Sequence, residues 1–122
     1  MKFIVTGGAG FIGHNVVRTL EQHGHTCFVI DNITDYGFMP QNELRYLAQE
    51  RRSRFKSSIQ HVNICNFKET ESVFKIFSSG VDAVIHLASF PRQKIVLDNP
   101  VAGSEVMTTA LMNLLELTKK YQ

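Results

Sequence analysis

The stretch Thr6-Gly7-Gly8-Ala9-Gly10-Phe11-Ile12-Gly13 decides how the rest of the chain is read. Before it runs Lys2-Phe3-Ile4-Val5, short and β-rich. After it Ile12, Val16 and Leu20 recur at helical spacing, with Val17 beside them, until Gly24 closes the segment. In a glycine-rich turn between a strand and an amphipathic helix, each glycine has a physical task. Gly7 or Gly8 supplies backbone angles that side chains disfavour. At Gly10 the missing Cβ lets a pyrophosphate approach the backbone, and at Gly13 it lets the helix pack close to the sheet. The helix N-terminus then turns unpaired N–H groups and the favourable end of its dipole towards the phosphates.

A glycine motif by itself says little; its surroundings make this one specific. The next apolar run, 26–31, contains Cys27-Phe28-Val29-Ile30 and ends on Asp31, 18 residues past Gly13. A carboxylate at that strand end accepts both ribose hydroxyls of an adenosine and repels a 2′-phosphate. NAD is therefore expected over NADP, in a site at the C-terminal ends of the strands.

Outward from this turn the chain keeps one rhythm. A weaker apolar run spans 59–64, and Val73, Phe74, Ile76 and Phe77 mark a helix over about 68–78. A fourth run covers 83–87, and Val106, Ala110, Leu114 and Leu117 line one stripe of a last helix from Pro100 to the end. Strand and helix alternation of this kind predicts an α/β fold, a doubly wound parallel sheet of the Rossmann type with four strands and right-handed crossovers. Strands that are apolar without alternation suit a sheet covered on both faces. The connection 32–58, at 27 residues, is too long for a bare loop. Pro40, Leu44, Leu47 and the Arg/Glu-rich run predict a short extra helix inside it.

Composition narrows the function classes. The 122 residues suffice for one domain, 1–122, and their 43% hydrophobic and 20% charged content is ordinary for a globular protein. With 13 basic and 11 acidic side chains no nucleic-acid partner is expected. Arg51, Arg52, Arg54 and Lys56 read as a solvated surface, since no aromatic residues are interleaved for base stacking. No apolar stretch is long enough for a membrane span, and no signal peptide is expected, since Lys2-Phe3-Ile4-Val5 lacks a charged region followed by a long apolar run and cleavage site. Cys27 and Cys65 read as reduced cysteines of a cytoplasmic protein, and the five histidines show no metal-ligand spacing.

Gly7-Gly8-Ala9-Gly10-Phe11-Ile12-Gly13, then Asp31-Asn32, then Ile85-His86-Leu87-Ala88, resemble the extended short-chain dehydrogenase/reductases, the NAD-dependent epimerases and dehydratases of nucleotide sugars. The resemblance covers essentially the whole chain, in order. It implies that the turn, with Gly7, Gly10, Phe11 and Ile12, holds the pyrophosphate of NAD, and that Asp31 and Asn32 hold the adenosine ribose. It places Asn63 and Ile64 beside the adenine, and Leu87, Ala88 and Ser89 on the nicotinamide ribose side. It implies a nucleotide sugar as substrate, a UDP-sugar first, and a homodimer. It makes His86 packing at the strand end in preference to a catalytic base. Arg92, in the loop Phe90-Pro91-Arg92-Gln93 just past that strand, reads as a solvent-facing side chain, with a contact to the substrate diphosphate as the alternative. Pro100 and Asn113-Leu114-Leu115-Glu116 look like the family's next helix.

Three positions depart from the family pattern. Asn63 replaces an aspartate beside the adenine, keeping the carbonyl and losing the charge. Met107 stands where an asparagine is usual, seven residues after the proline. The family's acid/base tyrosine is followed four residues later by a lysine; here Pro40 follows Tyr36 at that distance, Glu50 follows Tyr46, and Tyr121 is next to the end. The chain is thus expected to be the N-terminal, cofactor-binding part of such an enzyme, inactive alone and without catalytic residues of its own. A non-catalytic NAD-binding module, and one part of a split enzyme, remain as alternatives. Within the family a dehydratase or a reductase competes with an epimerase.

Overall fold

A computed structural model describes residues 1–34, 39–76, 80–90 and 92–121. Strands β1 (Lys2–Thr6), β2 (Thr26–Ile30), β3 (Ile59–Gln60) and β4 (Ala83–His86) form one parallel sheet in the order β3-β2-β1-β4. Successive side chains on a strand point to opposite faces, and the sheet sorts them into two cores. Phe3, Val5, Cys27, Val29, Ile85 and Leu87 pack on one face with Val17 and Leu20 of α1 (Gly13–Gln22). Ile4, Phe28, Ile30 and Val84 pack on the other, under α3 (Phe67–Ile76) and α6 (Ala110–Tyr121), with Val73, Phe74, Ala110, Leu114 and Leu117. This is the doubly wound arrangement expected from strands apolar at every position. Ile4, Val5, Val29 and Ile30 are fully buried, each contributing about 1.5–3 kcal/mol.

The extra helix is present as α2 (Gln41–Arg52), directly after Pro40. Glu43 in its first turn and Arg51 and Arg52 in its last suit the helix dipole. None of its residues is buried, so it lies outside the main core. The segment that follows is tied back to α1, where the Glu21 carboxylate accepts the amides of Lys56 and Ser57, both at 2.8 Å.

Strand β3 corrects the expected run 59–64, because it ends at Gln60. Beyond it the backbone polar groups find partners off the sheet. Val62 N–H turns back to the Gln60 carbonyl (3.0 Å), and the Asn63 side chain accepts Cys65 N–H (3.0 Å). From α6, Asn113 Nδ2 donates to the carbonyls of Ile64 and Cys65 at 3.0 and 3.1 Å. Asn66 then starts α3, its side-chain oxygen accepting the amides of Lys68 and Glu69. Phe77 and Ser78, expected at the end of this helix, lie outside the described residues.

The last helix is also more broken than its apolar stripe suggested. α4 (Gln93–Asp98) precedes it, and Asn99, ahead of Pro100, takes φ −137° and separates the two. α5 (Pro100–Ser104) then passes through a π-helical turn at Glu105–Thr109, carrying Met107, into α6. Glu71 on α3 joins the two helices of this face. It accepts from Lys75 (3.0 Å), from Lys120 (2.6 Å) and from the Tyr121 hydroxyl (3.2 Å). No helix among the described residues is long and apolar enough to cross a membrane.

Candidate functional site

The C-terminal ends of the strands converge on the glycine turn. Gly7 N–H donates to the Ile30 carbonyl at the end of β2 (2.8 Å), and Leu87 N–H donates to the Thr6 carbonyl at the end of β1 (3.1 Å). Gly7, with φ 68°, takes the left-handed conformation that the sequence left open between Gly7 and Gly8. A Cβ on Gly7 would lie 2.7 Å from both the Ala88 amide nitrogen and the Leu87 carbonyl carbon, so the backbone just past β4 presses directly on the turn. Gly13 approaches from the other side. Its Cβ would overlap the Gly7 carbonyl oxygen and sit 2.6 Å from Gly8 Cα. The expected helix-to-sheet role of Gly13 is therefore corrected: Gly13 packs α1 onto the turn. Gly8 is the glycine against the sheet, where a Cβ would meet Val29 Cγ1 at 2.6 Å.

Gly10 differs from these. Beyond its chain neighbours, a Cβ there would touch only the Gly7 carbonyl oxygen, at 3.0 Å, with open space otherwise. Helix α1 starts beside it with Ile12 at the N-cap, no side chain capping it and no acid in its first turn. His14, only 3% exposed, donates Nδ1–H to the Gly10 carbonyl at 2.8 Å. The Gly10–Phe11 peptide is trans, so the Phe11 N–H points opposite that carbonyl, away from His14. Phe11 and Ile12 both keep their side chains largely exposed. An open turn and a helix dipole with no acid in the first turn of α1 together make a cradle for an anion.

Asp31 sits at the end of β2, half-buried, and spans two parts of the site. Its Oδ2 accepts Ala9 N–H from the glycine turn at 2.9 Å, and its Oδ1 accepts Ile33 N–H at 2.8 Å. Each carboxylate oxygen retains a further lone pair for a ligand hydroxyl. Asn32 follows, exposed. Asn63 is exposed beyond β3, whereas the Ile64 side chain is buried in the core beneath α3 and α6. Past β4, Leu87 and Ala88 fall on opposite faces of the sheet, and Ser89 is exposed with its hydroxyl donating to the Phe90 carbonyl (3.4 Å). Arg92 is exposed, as expected, and its carbonyl accepts Ile95 N–H at the start of α4. Pro91 and Tyr36 lie outside the described residues. Tyr46 is exposed on α2, and Tyr121 bonds Glu71 on the far face of α3 and α6.

Two supporting residues give no signal in the sequence strong enough to single them out. His14 is one, four places after Gly10, a spacing that lets a side chain reach back one helical turn. Thr6 is the other. Fully buried, its hydroxyl lies 2.7 Å from His86 Nδ1 and accepts the amides of Leu87 and Ala88, both at 3.3 Å. The Leu87 amide is shared between this hydroxyl and the Thr6 carbonyl. Burial disfavours the charged imidazole of His86 and pushes its pKa down. This is a packing role, with the imidazole locking β4 to β1.

A pH dependence follows. A histidine whose folded pKa lies below its unfolded value of about 6.5 stabilises the fold fully above that pH. The contribution is lost as pH falls through the lower, folded pKa. Thermal melts from about pH 7.5 to 5 should show a falling Tm, and His86→Asn, which does not titrate in this range, should flatten that limb. An identical slope in the variant would contradict the lowered pKa of His86. The Glu71 limb lies lower. Lys120 and Lys75 hold that carboxyl down at about 2, so its contribution drains away only below about 4.5.

With the geometry in view, comparison with known proteins is decisive. A model of the NAD dependent epimerase/dehydratase family matches residues 3–122. The chain belongs to that family. It is 32% identical over 119 residues to a UDP-glucuronate 4-epimerase of Thermodesulfobacterium geofontis, covering 98% of this chain and 36% of that protein. It is 33% identical over 122 residues to a dTDP-glucose 4,6-dehydratase of Salmonella typhimurium, covering 99% and 32%. The structure superposes on the UDP-glucose 4-epimerase of Thermus thermophilus, solved in complex with NAD, with a TM-score of 0.76 at 28% identity, covering 99% of this chain and 34% of that one. The chain thus spans about a third of the length of these relatives. The epimerase/dehydratase family member retains the four-strand parallel sheet and the glycine turn of a Rossmann fold.

Proposed function

We propose that residues 1–122 form the NAD-holding domain of an enzyme that epimerises or dehydrates a nucleotide sugar, a UDP-sugar first. One observation carries the proposal: a glycine turn open at Gly10 stands beside a carboxylate, Asp31, that is hydrogen-bonded to that same turn. The cradle fits NAD. At the turn and the start of α1, Gly7 and Gly10 would let the pyrophosphate approach the backbone, and the N–H groups of Phe11 and Ile12 would hold it, since the Gly7 and Gly10 amides are already bonded to the Ile30 and Gly7 carbonyls. Asp31 and Asn32 would bind the adenosine ribose, with Asn63 and Ile64 beside the adenine. Leu87, Ala88 and Ser89 would border the nicotinamide ribose. Accepting a hydride from the sugar ring and returning it is the chemistry that NAD supplies when bound.

The rest of the reaction needs an acid/base group, and neither Tyr36 nor Tyr46 has a lysine four residues on, Pro40 and Glu50 standing there instead. We read the assembled protein as a homodimer, supported by the exposed Met107, Leu111, Met112 and Leu115 along the outer side of the last helix. A cytoplasmic setting is supported by two free cysteines, Cys27 and Cys65.

Calorimetry tests the cofactor assignment. The chain should bind NAD in preference to NADP. Asp31→Ala should weaken NAD about tenfold, as for loss of hydrogen bonds to a charged group, and should remove the preference. Equal affinity of the native chain for both cofactors would sink the proposal.

A further inference from the structure

Ile33 has φ 51° and is the one non-glycine residue with positive φ among those described. For a β-branched side chain this is an outlier that other interactions must enforce. What it achieves is local and specific. The left-handed turn brings the Ile33 amide back to Asp31 Oδ1 at 2.8 Å, while the Ala9 amide holds Oδ2 at 2.9 Å. The carboxylate is thereby gripped on both oxygens, from the glycine turn on one side and from the loop after β2 on the other. The Ile33 side chain lines a hollow of about 440 Å³ next to Ala48, Gln49 and Arg52 of α2, so this loop also abuts the extra helix.

We infer that Ile33 is a positioning residue that sets the choice between NAD and NADP through Asp31. The inference rests on the assignment of Asp31 to the adenosine ribose. A carboxylate with one oxygen free could rotate aside and admit a 2′-phosphate. With both oxygens held, the charge stays where that phosphate would lie, and the remaining lone pairs meet the 2′- and 3′-hydroxyls without reorganisation. The backbone of Ile33, rather than its side-chain chemistry, carries the effect. Sequence alone hides it, since an isoleucine after Asp-Asn gives no hint of positive φ.

Two substitutions separate the parts. Ile33→Gly keeps the amide and adopts positive φ freely, so the ratio of NADP to NAD dissociation constants should stay within about twofold. Ile33→Pro removes the donor and fixes φ near about −65°; the ratio should shrink about tenfold, the size of one hydrogen bond to a charged group. A merely structural residue would lower Tm or weaken both cofactors alike and leave the ratio unmoved. Ile33→Pro with the native ratio would overturn the inference. Should that variant not fold, amide exchange by NMR decides: Asp31→Ala should speed Ile33 exchange at least about tenfold, and an unchanged rate would overturn it. A native chain that binds neither cofactor would instead defeat the NAD assignment itself, which keeps the two failures distinct.

Discussion

Gly10→Val is expected to abolish NAD binding while the fold survives. A Cβ at Gly10 meets one atom, the Gly7 carbonyl oxygen at 3.0 Å, and otherwise enters open space. That space is where the pyrophosphate would approach the backbone. A branched side chain there should weaken NAD by at least about a hundredfold, or roughly 2.7 kcal/mol. The cost to the empty protein is the modest shift needed at Gly7, so Tm should fall by less than about 8 °C, the change for roughly 1 kcal/mol in a domain of this size. Fluorescence titration with NAD and a thermal melt on the same sample give both numbers. A variant that binds within about threefold of the native chain would show that the phosphates lie elsewhere.

Gly13→Ala should do the reverse and damage the fold first. Its Cβ would overlap the Gly7 carbonyl oxygen and crowd Gly8 Cα, and both are backbone atoms pinned between α1 and the strand ends. No flexible side chain can yield. The expected loss is about 3 kcal/mol, the upper end for overpacking, or roughly 10–20 °C in Tm. Gly24→Ala is the internal control. With φ 77° and no atom within 4 Å of a new Cβ, it should cost only the left-handed backbone, about 1–2 kcal/mol. Urea melts of the three proteins should rank native, Gly24→Ala, Gly13→Ala. A Gly13→Ala chain as stable as the control would mean that α1 is not seated on the turn as described.

The parts of the molecule that can be read in the sequence are those fixed by local rules. Glycines before an amphipathic helix, Asp31 closing an apolar run, and an over-long connection with Pro40 at a helix start all announce themselves within a few residues. What cannot be read depends on partners far along the chain. Strand β3 stops at Gln60, where its partner β2 ends at Ile30, and the carbonyls of Ile64 and Cys65 beyond it go to Asn113, from a helix about fifty residues away. Thr6 looks like an ordinary strand residue until His86 and the amides of Leu87 and Ala88 arrive beside it. α4 is hidden because Pro100 marks a helix start so strongly that the six residues before Asn99 read as loop. The distribution of work among the glycines is only half legible, since spacing shows that a Cβ is forbidden and not which neighbour forbids it.

The contact between Gly7 and the Leu87–Ala88 backbone has a kinetic side. These groups are about eighty residues apart, and closing so long a loop costs entropy before any of its contacts repay it. β1 can pair with β2 early, since a single helix separates them, but the cradle is finished only when β4 (Ala83–His86), much further along the chain, meets the turn. Assembly of the glycine turn is therefore expected to wait on the most non-local pairing in the sheet, β1 with β4. A chain caught before that step would hold a formed α1 and a β1–β2 pair, with Thr6 unsatisfied and the turn unclosed. Such a species would be blind to the dinucleotide. NAD added during refolding would then leave the early steps alone and act as a latch, drawing the population across the last one.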